Sequence, residues 1–313
     1  MRKIYFLLVF LTCTFVSHSQ LRSLYNQYML NQAVFNPGYM DISTRFSATL
    51  NFRKQWMTTP ETPMTFTANG HYHFTKNHGI GAIAISDFAA GVNSLEIGAV
   101  YNYHIWLGER TALGLGVKVG YQQRSLQTDY IYFSEKEPTL DNRVSRGVNL
   151  GVGLSIQSQN FDFGVSMPSI FDNALANPSN IYTTTYNHFY SHIGYKIRFN
   201  DNIILYPTAM VRMVKGSRLN MSFDGHFLFG QLVWVGGGYQ SDNSVTGSLG
   251  FFLEKGLRIV YTYQTSTFSP HKTTLEHTHE ITLNFARTID DLPFAKRKYT
   301  TRKGGQFRKK LKW

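Results

Sequence analysis

Cysteine is nearly missing from this chain, and proline is scarce. The single cysteine, Cys13, lies inside an apolar run near the N-terminus, and only 9 prolines are spread over 313 residues. A disulfide framework is excluded, and so is a thiolate metal or redox centre. Long hydrophobic runs are missing as well. Beyond the N-terminus no stretch approaches the roughly twenty continuous apolar residues that a membrane-crossing helix needs. Acidic residues are absent from Lys296 onward, where nine Lys and Arg accumulate, and two more cations, Arg2 and Lys3, open the chain. Between Gln20 and Ala295 that leaves 20 basic residues against 19 acids, so the net charge of +12 belongs mainly to the tail. A basic tail on an intracellular protein suggests nucleic acid. An exported chain does not meet nucleic acid, and an acidic periplasmic partner, or the charged inner leaflet and cell wall, is the expected contact.

Export is written at the start. Arg2 and Lys3 precede an apolar h-region of thirteen residues, Ile4 to Val16, and Ser17-His18-Ser19 offers a small-x-small cleavage site before Gln20. Residues 1–19 therefore read as a secretory signal peptide. Thr12 stands where a lipoprotein signal would place Gly, Ala or Ser, so Cys13 is expected to leave with the signal. What remains is rich in aromatics, at 15%, with 19 Tyr and 24 Phe, and slightly polar on average.

From Asn187 to Phe285 the chain alternates strictly. Phe189, Ile193, Tyr195 and Ile197 interleave with Tyr190, His192, Lys196 and Arg198; Leu219, Met221, Phe223 and Phe227 with Asn220, Ser222, Asp224 and His226; Ile281, Leu283 and Phe285 with Glu280, Thr282 and Asn284. A period of two means strands with one apolar and one polar face. The same pattern segments residues 43–287 into about fourteen strands, from Thr44–Gln55 to Leu275–Arg287, with Asn160–Ser166 as the seventh. Alternation alone does not say which face is inside. The connections do. Every second one is short (Thr75–His78, Ser158-Gln159, Asn200-Asp201), and the alternate set holds the long ones: Trp56–Glu61, Ser125–Ser145, Met167–Thr184 and Ser266–Thr274. Short turns on one side, long loops on the other and an even strand number belong to an all-β transmembrane barrel, up-and-down and antiparallel, in the outer membrane, with both chain ends periplasmic.

In such a barrel the apolar faces meet lipid and the polar faces line the lumen. Arg53, His71, His73, Glu96, His104, Lys118, Arg124, Lys196, Arg198, Arg212, Asp224, Arg258 and Glu280 are all expected to point inward, and both signs suggest ion pairs across the lumen. Residues 20–42 are not strand-like: Tyr25-Asn26-Gln27-Tyr28-Met29 and Phe35-Asn36-Pro37-Gly38-Tyr39 mix aromatics with turn formers. This segment plugs the lumen, lies under its mouth or simply leads into the first strand. Residues 288–313 form a basic periplasmic tail. Pro168, Pro178 and Pro270 fall in the expected loops, and Pro207 falls inside a strand, where a bulge is expected.

The residues indicate no enzyme, cofactor or metal. His71-Tyr72-His73 and His277-Thr278-His279 have a spacing that ligands can use, but neither has a cysteine or an obvious carboxylate beside it, and His277 and His279 share the lipid-facing side with Ile281. No G-x-S-x-G elbow is present. Gly114, Gly116 and Gly120, and Gly236-Gly237-Gly238, sit in strands without a following helix, so they are not phosphate loops; there they permit curvature and close packing.

Several of these pieces carry a family resemblance. Gln27-Tyr28-Met29 followed by Asn36-Pro37-Gly38-Tyr39 resembles the Q-Y-M…N-P-A-Y opening of PorP/SprF-type membrane proteins, and Arg53-Lys54-Gln55-Trp56 followed by Pro63 resembles their R-x-Q-W…P block. Gly194-Tyr195, Pro207, Trp234-Val235-Gly236 with Tyr239, Gly250, Tyr261-Thr262-Tyr263 and His279-Glu280-Ile281 are similar to the family's C-terminal half. Gly38 replaces the usual alanine, and the lysine-rich extension after Phe285 is a larger departure. The resemblance implies an outer-membrane component of type IX secretion and gliding motility that assists export or surface anchoring of a partner protein. Implied partners are a secreted surface protein or adhesin as cargo, periplasmic secretion-ring and peptidoglycan-associated proteins, and the outer-membrane bilayer. No catalytic residues carry over. On the residues alone, an outer-membrane transport channel for small or hydrophobic solutes, with an N-terminal plug, stays open as the alternative.

Overall fold

Strand pairing runs without interruption around a closed ring in the computed structural model, which describes residues 25–56, 62–89, 91–126, 144–174, 187–214, 217, 219–253, 256–266 and 277–288. The signal peptide, most of the long loops and the basic tail of the sequence reading lie outside these residues. The strands are β1 Thr44–Gln55, β2 Met64–His73, β3 His78–Ala89, β4 Val92–Gly108, β5 Thr111–Leu126, β6 Val144–Ser158, β7 Phe161–Ala174, β8 His188–Tyr195, β9 Ile197–Arg198, β10 Ile203–Val214, β11 Asn220–Phe229, β12 Val233–Gln240, β13 Ser244–Phe252, β14 Leu257–Ser266 and β15 Thr278–Thr288. Each pairs antiparallel with its neighbour, and β15 returns to β1 from Gln55↔Thr278 down to Thr44↔Thr288. Because β8 and β9 are two parts of one stave, the wall is a closed barrel of fourteen antiparallel strands. Closure leaves no open sheet edge among the described strands, as a wall in lipid requires.

The two ends of the barrel differ. At the end holding Thr44 and Thr288, the connections are short: residues 74–77, 109–110, 159–160, 199–202, 230–232 and 253–256. At the other, residues 56–63, 127–143, 175–187 and 267–277 connect strands over longer stretches. These are called the turn end and the loop end.

Two prolines are placed differently from the sequence reading. Pro168 lies within β7, which runs on to Ala174 instead of stopping at Ser166. Between the pairs Leu150↔Phe171 and Val152↔Met167 the β6–β7 register shifts at a bulge. Gly151 accommodates it, since a Cβ at that position would lie 2.5 Å from the Pro168 carbonyl oxygen. Pro207 makes no bulge. The β10–β11 register passes straight through Pro207↔Gly225. On its other side the ladder stops at Thr208↔Gly194 and resumes at Leu205↔Ile197 in the same register. A proline has no N–H to offer there, which is why one stave reads as β8 and β9.

Side chains separate by parity as expected. Ile97, Val119 and Phe223 keep about half their surface uncovered on the outside, at 53%, 54% and 53%. Arg53, Glu96, His104, Lys118, Arg212, Asp224 and Glu280 are buried on the inside. A Lys or Arg facing lipid at mid-depth costs about 2–4 kcal/mol, so this partition holds the register as well as the orientation.

Candidate functional site

The lumen is not empty. Residues 25–43 run through it, from the loop-end third at Tyr25 and Asn26 to the turn end, where they enter β1. The segment has little regular structure: a 3-10 turn at Tyr28–Leu30 and one α-helical turn at Gln32–Phe35. What holds it is the wall. Tyr25, Tyr28, Met29, Val34, Phe35 and Met40 are buried in one apolar cluster with inward residues of β3, β4, β8 and β10 to β14, among them Ile83, Val100, Tyr190 and Trp234. Burying an apolar side chain of this size is worth about 1.5–3 kcal/mol. Phe35 packs edge-on to Tyr25 and against Tyr190, each at 5.3 Å between ring centres.

Polar contacts fix the path. Near the loop end, Glu280 accepts hydrogen bonds from the backbone N–H groups of Asn26 (2.7 Å) and Gln27 (3.1 Å) and from Asn51 Nδ2 (2.9 Å), with Arg53 Nε at 3.7 Å. Gln27 Nε2 donates to Thr262 Oγ1 (2.9 Å) and to the Val260 carbonyl (3.2 Å), and Gln240 Nε2 donates to Asn26 Oδ1 (2.9 Å). At mid-depth Tyr28 donates to Thr208 (2.9 Å). Asp162 accepts from Gln32 Nε2 (3.1 Å) and from the Tyr206 hydroxyl (2.8 Å). Ser166 donates to the Phe35 carbonyl and Ser155 to that of Gly38, at 2.8 and 2.7 Å. Asn102 Nδ2 donates to the Pro37 carbonyl (2.9 Å), while Asn36 Nδ2 donates to the Leu154 carbonyl (2.8 Å).

The lower half of the segment lies directly on glycine. A Cβ at Gly116 would sit 2.0 Å from the Pro37 carbonyl oxygen, one at Gly114 2.3 Å from that of Gly38, and one at Gly153 2.0 Å from Asn36 Oδ1. These inward glycines of β5 and β6 are the bed of the segment. Gly38 meets the same limit from the other side: a Cβ there would lie 2.5 Å from the Gly153 carbonyl. Read from the sequence, Gly114 and Gly116 permit curvature and close packing; alternate glycines on the inward parity of two adjacent strands are the sign that what packs there is another stretch of backbone.

One pair of inward charges lies within the wall itself. Lys118 and Glu96 form a buried ion pair, and Asn149 Nδ2 donates to the same carboxylate at 3.2 Å. His71, His73 and His104 come together inside, with ring centres 5.4 and 5.2 Å apart, and His71 Nε2 lies 3.2 Å from Thr44 Oγ1. Among the described residues no group of three His, Cys, Asp or Glu is arranged to hold a metal. His277 and His279 are on the outer side near the loop end, where His279 Nδ1 lies 2.6 Å from the Tyr261 hydroxyl and His277 is bonded to Tyr263. Such Tyr–His pairs suit the aromatic girdle at a membrane interface. Within the lumen segment, burial pushes the Asp41 carboxyl up. The Ser43 hydroxyl, Lys196 and Arg258 outweigh it and hold Asp41 below the usual carboxylate range, so it stays ionised.

Known structures resemble this chain distantly. They include the outer membrane protein Omp33 of Acinetobacter baumannii (9% identity, 79% of this chain and 100% of that chain, TM-score 0.46). A Pseudomonas aeruginosa FadL homologue aligns at 10% identity over 81% of this chain and 93% of that one, with TM-score 0.46. The Ralstonia pickettii toluene transporter TbuX aligns at 11% identity over 82% and 93%, with TM-score 0.47. No curated protein matches the chain. The family described as type IX secretion system membrane protein PorP/SprF matches residues 17–285, and the chain belongs to that family.

Proposed function

We propose that this outer-membrane barrel is a plugged platform, not an open pore, and that it assists export or surface anchoring of a partner protein without catalysing a reaction. The observation that carries the reading is the seating of residues 25–43 inside the lumen, bonded to the wall from Glu280 near the loop end to Ser155 near the turn end. A barrel filled in this way offers its two ends for contact. The loop end would meet a secreted surface protein or adhesin. The turn end, taken as periplasmic, would meet secretion-ring and peptidoglycan-associated proteins. In this reading the basic residues after Ala295, which follow β15 in the sequence, would add contacts to periplasmic partners.

The test is co-purification from the native membrane, comparing the full chain with one lacking Lys296–Trp313. The shortened chain is expected to insert normally and to lose periplasmic components, while cargo at the loop end is kept. Unchanged recovery of periplasmic proteins would refute the role given to the tail. A channel role for small or hydrophobic solutes predicts instead selective solute flux through the full chain in liposomes.

A further inference from the structure

The lumen segment touches the wall on many sides but does not fill the whole interior. At Asn36–Gly38 it rests on the glycine bed of β5 and β6. On the opposite side, a cavity of about 100 Å³ remains between the segment and the wall. It reaches the turn end at Arg198, which is exposed, and extends inward to Asn69 and Thr49.

Its lining is graded. Lys196, Arg198 and Arg258 stand toward the turn end. Two of them are braced by aromatic faces, with Lys196 Nζ 5.4 Å from the Tyr206 ring centre and the Arg258 guanidinium 5.5 Å from that of Phe252. Bracing of this kind fixes a cation in place before any ligand arrives. Asp41 is the one carboxylate among the described lining residues; Ser43 engages it through the backbone N–H at 2.9 Å and the hydroxyl at 2.6 Å, and it offsets part of the charge of Lys196 and Arg258. Cations therefore exceed acids three to one along this surface. Next to them Ile204, Leu228 and Trp234 supply an apolar wall.

Further in, Asn31 is 2% exposed, and neither its Oδ1 nor its Nδ2 has a hydrogen-bond partner among the described residues. The Oδ1 atoms of Asn69 and Asn284, which also line the cavity, are unpartnered in the same sense. Buried amides are ordinarily paired, so these atoms mark a place where something polar is accepted.

We propose that this cleft is a binding site for a small amphipathic carboxylate. The anionic head is held by Lys196, Arg198 and Arg258. The body lies against Leu228 and Trp234, and any polar atoms along it meet Asn31. Two sources share this chemistry: a free organic acid, and the C-terminal residue of a polypeptide entering from the turn end. The site does not depend on the export role, and its failure would leave that role standing.

Calorimetry on the full chain in lipid nanodiscs tests it with four probes. These are 3-phenylpropionate, 3-phenylpropanol, the peptide Gly-Gly-Phe with a free C-terminus, and the same peptide amidated. The acids are expected to bind at least about ten-fold more tightly than their neutral counterparts, because charge-assisted hydrogen bonds are the strong ones. Replacing Lys196→Gln together with Arg258→Gln should abolish the difference, while Arg45→Gln, on the outer face, should leave it intact. Asn31→Asp leaves the barrel wall untouched and puts an acid in the cleft; it should weaken acid binding by a similar factor. Each variant is checked for the heat-dependent gel mobility of a folded barrel. Tighter binding of the peptide assigns the site to a polypeptide end, and tighter binding of the free acid assigns it to a small molecule. Equal binding of acid and alcohol, retention of the acid's advantage in the double variant, or no binding of either acid at millimolar concentration overturns the proposal.

Discussion

Glu96 and Lys118 show how the lumen handles charge. Both are buried, they are bonded to one another, and Asn149 adds a further donor. Removing one partner of such a pair leaves a charge without compensation, at a cost of about 3–5 kcal/mol. Glu96→Gln is therefore expected to lower the unfolding free energy of the detergent-solubilised barrel by that amount, measured by urea titration. Replacing both, Glu96→Leu with Lys118→Met, should cost less than the single change, because no stranded charge remains. If the double variant is weaker by the sum of two single changes, the pair is not acting as a unit. Gly116 makes a second residue-scale argument. Its hydrogen leaves room for the Pro37 carbonyl, which a Cβ would approach to 2.0 Å. Backbone cannot yield as a flexible side chain can, so Gly116→Val is expected to dislodge the segment while the wall stays closed. The readout is chymotrypsin cleavage at Phe35 or Tyr39, new in the variant and absent from the parent, with heat-dependent mobility retained.

At the scale of single strands, β15 gives the cleanest case. Leu283 faces outward, 40% exposed, and Thr282 and Asn284 beside it are buried. Leu283→Arg should cost about 2–4 kcal/mol in a lipid-reconstituted unfolding measurement, since it sets a cation against hydrocarbon at mid-depth. A change within experimental error would place that face against protein or water. This alternation is also what made the strands readable from the sequence: β1 begins and ends where the pattern does, at Thr44 and Gln55. A strand between lipid and polar lumen has a different solvent on each side, and the period of two records it. The prolines were less readable because their effect depends on the neighbouring strand. Pro207 interrupts only one of its two ladders, and Pro168 is tolerated inside β7 because Gly151 makes room across the pair. The seating of residues 25–43 was least readable. Nothing in Tyr25-Asn26-Gln27 specifies Glu280 as its acceptor, a partner more than 250 positions away. That contact exists only once closure of the ring brings β15 beside β1.

For the molecule as a whole, the question is what a fourteen-stranded ring does with its interior. The wall strands are tied to one another independently of the lumen segment, through registered pairs all the way round. The segment is tied to the wall through side chains and its own backbone N–H and carbonyl groups, with no ladder of its own. The two are thus separable: the ring can persist while the segment is removed. Deleting residues 25–41 is expected to leave a detergent-stable barrel that conducts ions in a planar bilayer, whereas the full chain is silent. The exposed lumen would present Arg53, Glu280 and Arg212 to water, so conductance should depend on salt as it does for a charged pore. Glu280→Gln should give an intermediate result, brief openings on a closed baseline. It weakens the two charge-assisted bonds to Asn26 and Gln27 but leaves the apolar cluster around Phe35 in place. A deletion variant as silent as the full chain would mean that the barrier lies elsewhere than in residues 25–43. Steady conductance in the unaltered protein would mean that a plugged platform is the wrong description and that the lumen serves passage.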